Sequence, residues 1–260
     1  MQRKVVLVGT SGWAYWGWRG RFYPEDLPQR DWLRHYCARY ATVELNCTFY
    51  RLPTERAVRG WAAAAPPGFL FAAKGSRYIT HRLLLRGAGE ALAQFLERLG
   101  LLGERLGPIL WQLPPGFERD EEALAAFLEL LPQGKHYAFE FRHPSWYEGN
   151  PLEQLEERGC ALCLHDWGRR AWPKLLTARW TYVRLHSGSG SGGAYSKEEL
   201  AAWADWLAQA LEAELDRAYV YFNNDAMANA IADSQTLIAM LQERCRGVAF
   251  GPCAERLAQP

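Results

Sequence analysis

Apolar residues along the chain fall in short runs, separated by stretches whose apolar positions recur three and four residues apart. The runs at 5–10, 42–46, 69–74, 109–112, 137–141, 161–164, 182–186 and 219–222 predict eight strands. Between them, Leu92, Phe95, Leu96, Leu99 and Leu102 form one helical stripe, and Leu124, Phe127, Leu128 and Leu131 another. Trp203, Trp206, Leu207, Leu211 and Leu215 make a third. Ile231, Ile238 and Leu241 mark the last helix, with Asp225 as its expected N-cap and Gly247 as its stop. The connections at 151–158 and 172–178 leave room only for short helices. Eight such units at a spacing of about thirty residues predict an α/β protein, a (β/α)8 TIM-like barrel. No composition break divides it, so residues 1–260 are expected to be a single domain. A doubly wound open sheet shares the alternation and is the alternative.

Strand parity carries the most information. In 42–46, 137–142 and 182–186 the odd positions are apolar and the even ones include the charged residues. One parity of a barrel strand faces the helices and the other the interior. Val43, Leu45, Phe139, Phe141, Val183 and Leu185 should therefore face the helices. Glu44, Asn46, Glu140, Arg142, Arg184 and His186 should point inward near the strands' C-terminal ends. Lys74, Gln112, Asp166 and Asn223 end other strands and complete a ring at the face where barrel enzymes keep their sites.

Burying so many charges is costly unless they pair or meet a ligand. One account is purely internal, with Glu44 and Glu140 neutralising Lys74, Arg142 and Arg184. The other is a site: Glu44 or Glu140 as general base, His186 or Lys74 as general acid, and Arg142 with Arg184 as an anion clamp. Asn46, Gln112, Asp166 and Asn223 would orient the substrate. Lys74 is also a candidate Schiff-base nucleophile. Glu44, Glu140, Asp166 and His186 are a donor set for a divalent metal, which three nearby cations oppose. No cofactor is expected.

Aromatic residues gather in the loops of the same end. Trp13, Tyr15, Trp16, Trp18, Phe22 and Tyr23 follow the first run, and Phe49 and Tyr50 the second. Trp146, Tyr147 and Trp167 follow the fifth and sixth. Trp13 and Tyr50 are the candidate stacking surfaces for a sugar or base, against the alternative that such rings pack the first loop. The run 187–193 satisfies G-x-G-x-x-G through Gly188, Gly190 and Gly193 but has no Rossmann unit around it, so a flexible lid or linker is expected rather than a phosphate cradle. Arg19, Arg21, Arg51, Arg77, His81 and Arg82 form a rim that would hold nucleic-acid phosphates in a second class of function.

Charge weakens that second class: 30 Lys+Arg against 29 Asp+Glu give a net charge of +1. No uncharged apolar run approaches the roughly 18 residues of a membrane span, and the start of the chain lacks the h-region of a signal peptide. A cytoplasmic protein with no membrane partner is expected, its oligomeric state left open. The six cysteines are too scattered for a disulfide framework. Cys160 and Cys163, three apart in a strand, should face opposite sides and so not share a metal.

The blocks Gly9-Thr-Ser-Gly-Trp-Ala-Tyr-Trp-Gly17, Phe22-Tyr-Pro24, Thr42-Val-Glu-Leu-Asn-Cys-Thr-Phe-Tyr-Arg-Leu-Pro53 and Lys74 with Ile79-Thr-His81 resemble the YecE-like family, domain of unknown function 72. Gln112-Leu-Pro-Pro115, Glu140-Phe-Arg-His-Pro-Ser-Trp146, Val183-Arg-Leu-His186, Phe222-Asn-Asn-Asp225 and Asn229-Ala230 continue the likeness in order. The resemblance implies a TIM-like barrel and brings no reaction with it. It breaks after His186, where the Ser/Gly run precedes Tyr195. Two function classes therefore stand. One is an acid–base enzyme on a small anionic or sugar-like substrate, a phosphorylated one included. The other is a nucleic-acid-binding or endonuclease-like protein, with a non-catalytic ligand-binding module as a third reading.

Overall fold

The structure, a computed structural model, describes residues 4–250. Eight parallel strands form the barrel: β1 (Val5–Thr10), β2 (Thr42–Leu45), β3 (Leu70–Lys74), β4 (Leu106–Gln112), β5 (Tyr137–Glu140), β6 (Ala161–His165), β7 (Trp180–Leu185) and β8 (Arg217–Phe222). They follow one another in order around the sheet, and β8 pairs with β1 in register from Val5–Arg217 to Thr10–Phe222. Each expected run is a strand, with ends shifted by one to three residues.

Helices pack outside: α1 (Trp32–Cys37), α2 (Cys47–Tyr50), α3 (Glu55–Ala64), α4 (Gly89–Gly100), α5 (Glu121–Leu130), α6 (Pro151–Glu157), α7 (Lys197–Ala213) and α8 (Asn229–Arg244). Their starts follow from local chemistry. Thr54 and Asp120 accept backbone N–H groups at the starts of α3 and α5, and Ser196 with Glu199 makes a capping box on α7. Asp225 does not cap α8; it precedes a 3-10 turn at Ala226–Ala228, and its side chain makes no capping bond. The segment 172–178 holds no helix: after a 3-10 turn at Trp167–Arg169 the chain runs without regular structure into β7.

The main core lies between strands and helices and contains Val43, Leu45, Phe139, Phe141, Val183 and Leu185, the parity assigned to that side. A second cluster fills the barrel interior. Ala72, Ala138 and Ala161 belong to it together with Trp180, Tyr182, Tyr219 and Tyr221, so bulky rings from β7 and β8 occupy room that the alanines leave. Cys160 belongs to the outer cluster and Cys163 to the inner, on opposite faces of the sheet; Cys253 lies outside the described residues.

The junction between β1 and β2 closes differently from the other seven. The only backbone pairing there, among the described residues, is a bridge from Ser11 to Glu44. One ring supplies what the ladder lacks: the Tyr36 hydroxyl accepts from Thr10 N at 2.9 Å and donates to the Thr42 carbonyl at 3.1 Å. Gly9 makes the approach feasible, because a Cβ at that position would collide with the Thr42 carbonyl oxygen.

Candidate functional site

At the C-terminal end of the barrel, Arg184 of β7 is fully buried between two carboxylates. It donates Nη2 to Glu44 Oε1 at 2.9 Å and Nε to Glu44 Oε2 at 3.0 Å, a two-bond fork onto β2. Its Nη1 donates to Glu140 Oε2 of β5 at 2.7 Å, and Nη2 also reaches Ser11 Oγ at 3.4 Å. Glu44 further accepts from Tyr182 OH at 2.6 Å and from the Ser11 hydroxyl. Burial opposes ionisation of Glu140, yet the Arg142 and Arg184 guanidiniums beside it hold its carboxyl well below the usual carboxylate range. For Arg184, burial pulls the other way and is outweighed by Glu44 and Glu140, so it stays charged.

Arg142 donates Nε to Glu140 Oε1 at 2.6 Å and lies over the Trp167 ring, 4.5 Å from its centroid. Its Nη atoms make no hydrogen bond among the described residues, and its side chain is 13 % exposed. Arg184 is committed to the glutamates, whereas Arg142 keeps donors available. Arg142, not Arg184, is the arginine able to meet an anion.

Lys74 closes β3 in the same mouth. The residue is 8 % exposed, and its Nζ sits 4.1 Å from the centroid of the Phe49 ring. Among the described residues its amine has no hydrogen bond and no ion pair. Burial, helped by the Arg184 charge, lowers its pKa to about 8. His81 packs edge-to-face with Phe49, ring centroids 5.0 Å apart. Burial and then the Lys74 and Arg142 charges lower it to about 4, so it is neutral at pH 7.

His186 follows β7 and is 11 % exposed. Its Nδ1 faces Asn223 Nδ2 at 3.1 Å, and Asn46 Nδ2 reaches Asn223 Oδ1 at 3.4 Å. An amide donating to Nδ1 leaves the ring proton on Nε2. That Nε2 is buried without a hydrogen-bond partner, 3.9 Å from Glu140 Oε1. Burial and then the Arg184 charge hold the ring well below the ordinary histidine range.

The remaining expected residues divide. Gln112 pairs in register with Glu140 and is buried, but its Nε2 is turned to the Leu113 carbonyl at 2.6 Å. Asp166 is committed elsewhere: Oδ1 accepts from His186 N at 2.7 Å and Oδ2 from the Tyr195 hydroxyl, fastening the loop after β7. Trp13 packs edge-on against Trp61 of α3 and Phe71, as loop packing would have it, while Tyr50 is 65 % exposed beneath Arg77.

The Ser/Gly run is not a loose lid. Gly188 N and Gly190 N donate to Gly193 and Ala194 carbonyls, Ser189 N donates to Glu199, and Asn224 and Asn229 amides hold the carbonyls of 191–193. Amides spent in this way are not a phosphate cradle. Among the described residues, no group of three or more His, Cys, Asp or Glu side chains is arranged to hold a metal ion.

Sequence reasoning missed Ser11, Tyr182 and His165. Tyr182 shares the parity of Arg184 and was legible from that alone. His165, whose Nε2 lies 2.9 Å from the Phe141 carbonyl, falls one residue beyond the run assigned to the sixth strand.

Fold and mouth together define a TIM-type barrel whose strand ends carry a buried, partly unsatisfied charge cluster. The DUF72 family model, described as a protein of unknown function, matches residues 7–257, and the chain belongs to that family. It is 34 % identical over 156 residues to the UPF0759 protein YecE of Escherichia coli K12, covering 60 % of this chain and 55 % of that protein. The chain thus matches about half the length of that relative. It is 24 % identical over 283 residues to the UPF0759 protein YunF of Bacillus subtilis, covering 94 % and 98 % of the two chains. The crystal structure of a DUF72 family protein from Thermotoga maritima superposes with a TM-score of 0.76 at 28 % identity, over 92 % of this chain and 99 % of that one. Among the described residues no helix is long and apolar enough to cross a membrane.

Proposed function

We propose that this barrel is an enzyme that binds a small anionic or sugar-like molecule at its C-terminal mouth and acts on it by proton transfer. One observation carries the reading. In a cluster where Glu44, Glu140 and Arg184 satisfy one another, His186 Nε2 is buried without a partner, and the amine of the largely buried Lys74 has no hydrogen bond or ion pair among the described residues. Buried polar groups are normally paired, and unpaired ones at the functional end of a barrel mark where a ligand's groups go.

The roles then follow from charge. Around Lys74, the carboxylates of Glu44 and Glu140 face three cations, Lys74, Arg142 and Arg184, which suits an anion there. Glu140, held ionised by two guanidiniums, is a weak base; its work is to hold Arg184 and Arg142. Proton exchange falls to Lys74, whose pKa of about 8 lies near working pH. His186 acts as a neutral Nε2–H donor rather than an imidazolium acid.

The test is a thermal-shift screen against inorganic phosphate, sugar phosphates, carboxylates and short oligonucleotides. A ligand at a hundred times its dissociation constant adds about 2.7 kcal/mol. A rise with a small anion that Lys74→Met abolishes supports the reading; no rise with any small anion overturns it. Trp16 and Tyr50, exposed on the same face beside Arg19 and Arg77, favour base stacking as the second reading. A rise with oligonucleotides alone would establish that one instead.

A further inference from the structure

We propose that Lys74 captures the carbonyl carbon of a small anionic aldehyde or ketone as a Schiff base. The proposal rests on the anionic-ligand reading above and adds to it a covalent step and a substrate class.

The argument begins with what the amine lacks. A buried lysine serving structure is expected to meet a carboxylate. The two carboxylates whose charges reach Lys74 are both occupied by arginines: Glu44 by the fork of Arg184, Glu140 by Arg184 and Arg142. Lys74 meets neither within 4.0 Å and rests on the face of Phe49 instead. An aromatic floor steadies the side chain without hydrogen-bonding the nitrogen, which leaves the lone pair free once the proton departs. With its pKa at about 8, roughly a tenth of the amine is neutral at pH 7, against well under a thousandth for an exposed lysine.

A second, independent feature points to a carbonyl. His186 Nε2 carries a proton, is buried and has no acceptor. A carbonyl oxygen is an acceptor of the kind that donor lacks, and the free Nη donors of Arg142 can take a carboxylate or phosphate on the same molecule. The chain has 5 lysines, and none of Lys4, Lys135, Lys174 and Lys197 lies at a strand's C-terminal end.

The step balances without a co-reactant. The neutral amine adds its lone pair to the carbonyl carbon, and the oxygen becomes a hydroxyl as nitrogen gives up one proton. The carbinolamine then loses that hydroxyl as water while nitrogen gives up its second proton and the C=N bond forms.

The full chain is incubated at pH 7 with glyoxylate, and separately with glyceraldehyde 3-phosphate, in the presence of sodium cyanoborohydride, and the reduced adducts are mapped by mass spectrometry. The expected result is labelling of Lys74 about tenfold or more above each other lysine, as its larger neutral fraction favours. Excess inorganic phosphate should suppress it, and Lys74→Met and Lys74→Gln, checked for an intact melting transition, should lose it. Adducts spread over the exposed lysines with Lys74 unmodified, while either probe still raises the melting midpoint, overturn the covalent step and leave the anion site standing. Labelling of Lys74 that phosphate does not suppress supports the covalent step and overturns the anion preference. Neither adduct nor midpoint shift overturns both.

Discussion

Arg184 and Glu44 meet in a fork, Nη2 to Oε1 at 2.9 Å and Nε to Oε2 at 3.0 Å, with both side chains completely shielded from solvent. The pair joins β7 to β2 across the barrel interior. Removing one charge from such a pair strands the other in a low-dielectric site. Glu44→Gln is expected to cost about 3–5 kcal/mol in denaturant unfolding, and Arg184→Met added to it to recover part of that loss. Additive losses in the double variant would show the two do not act as a unit.

Glu140 makes stability depend on acid. Its folded pKa is depressed, so its contribution is complete above the unfolded value of 4.5 and is lost as pH falls through the folded one. The melting midpoint should fall on acidification below that value, and the fall should be shallower in Glu140→Gln. Equal slopes in the two proteins would remove Glu140 from the acid response.

Lys74 acts in the opposite sense. Its pKa drops from 10.5 to about 8, so the fold's penalty for the protonated amine is complete below about 8, fades as pH rises from there to 10.5, and is gone above it. Lys74→Met should therefore unfold at higher denaturant at pH 7, by about 1–3 kcal/mol, with the advantage shrinking towards pH 10. A destabilised Met variant at pH 7 would mean the amine has a structural partner.

The His186 ring should be visible as a neutral Nε2–H tautomer by nitrogen NMR, with no titration between pH 5 and 8, because burial and Arg184 keep it unprotonated there. Asn223→Ala should mix the two tautomers. Asn223 is a positioning residue in this scheme, and an unchanged spectrum in that variant would deny it the role.

At the β1–β2 junction, Tyr36→Phe removes the hydroxyl that serves Thr10 N and the Thr42 carbonyl. A buried donor and acceptor lose their partner together, at an expected cost of about 1–3 kcal/mol by chemical denaturation. No measurable loss would mean the strands can pair directly there.

Strand parity made much of this legible. Alternation at 42–46, 137–142 and 182–186 is enough to send Glu44, Glu140 and Arg184 inward, because successive side chains on a regular strand point to opposite faces. What parity does not contain is partnership. It cannot say that Arg184 is consumed by two glutamates while Arg142 retains free donors, since that depends on side-chain reach between strands distant in sequence. Gln112 ends β4 and Asp166 follows β6, yet Gln112 turns its amide to the neighbouring Leu113 carbonyl and Asp166 turns to Tyr195 and His186 N, groups whose nearness only the folded chain creates. For 172–178 the length of the connection allows a short helix, yet the segment holds none.

The β1–β2 junction has a consequence for how the charge cluster comes into being. Seven neighbouring strand pairs are zipped by their own backbones, so a rolled but unsealed sheet already contains Glu140 and Arg142 at the end of β5 and Arg184 on β7, either side of β6. Glu44 stands on the far lip, tied to β1 through Ser11 and to β7 through Arg184. Sealing the cylinder and giving Arg184 its second carboxylate are thus one event. The guanidinium works as a lock whose second key arrives only when the edges of the sheet meet, and a chain that fails to seal leaves it with Glu140 alone and its fork unfilled.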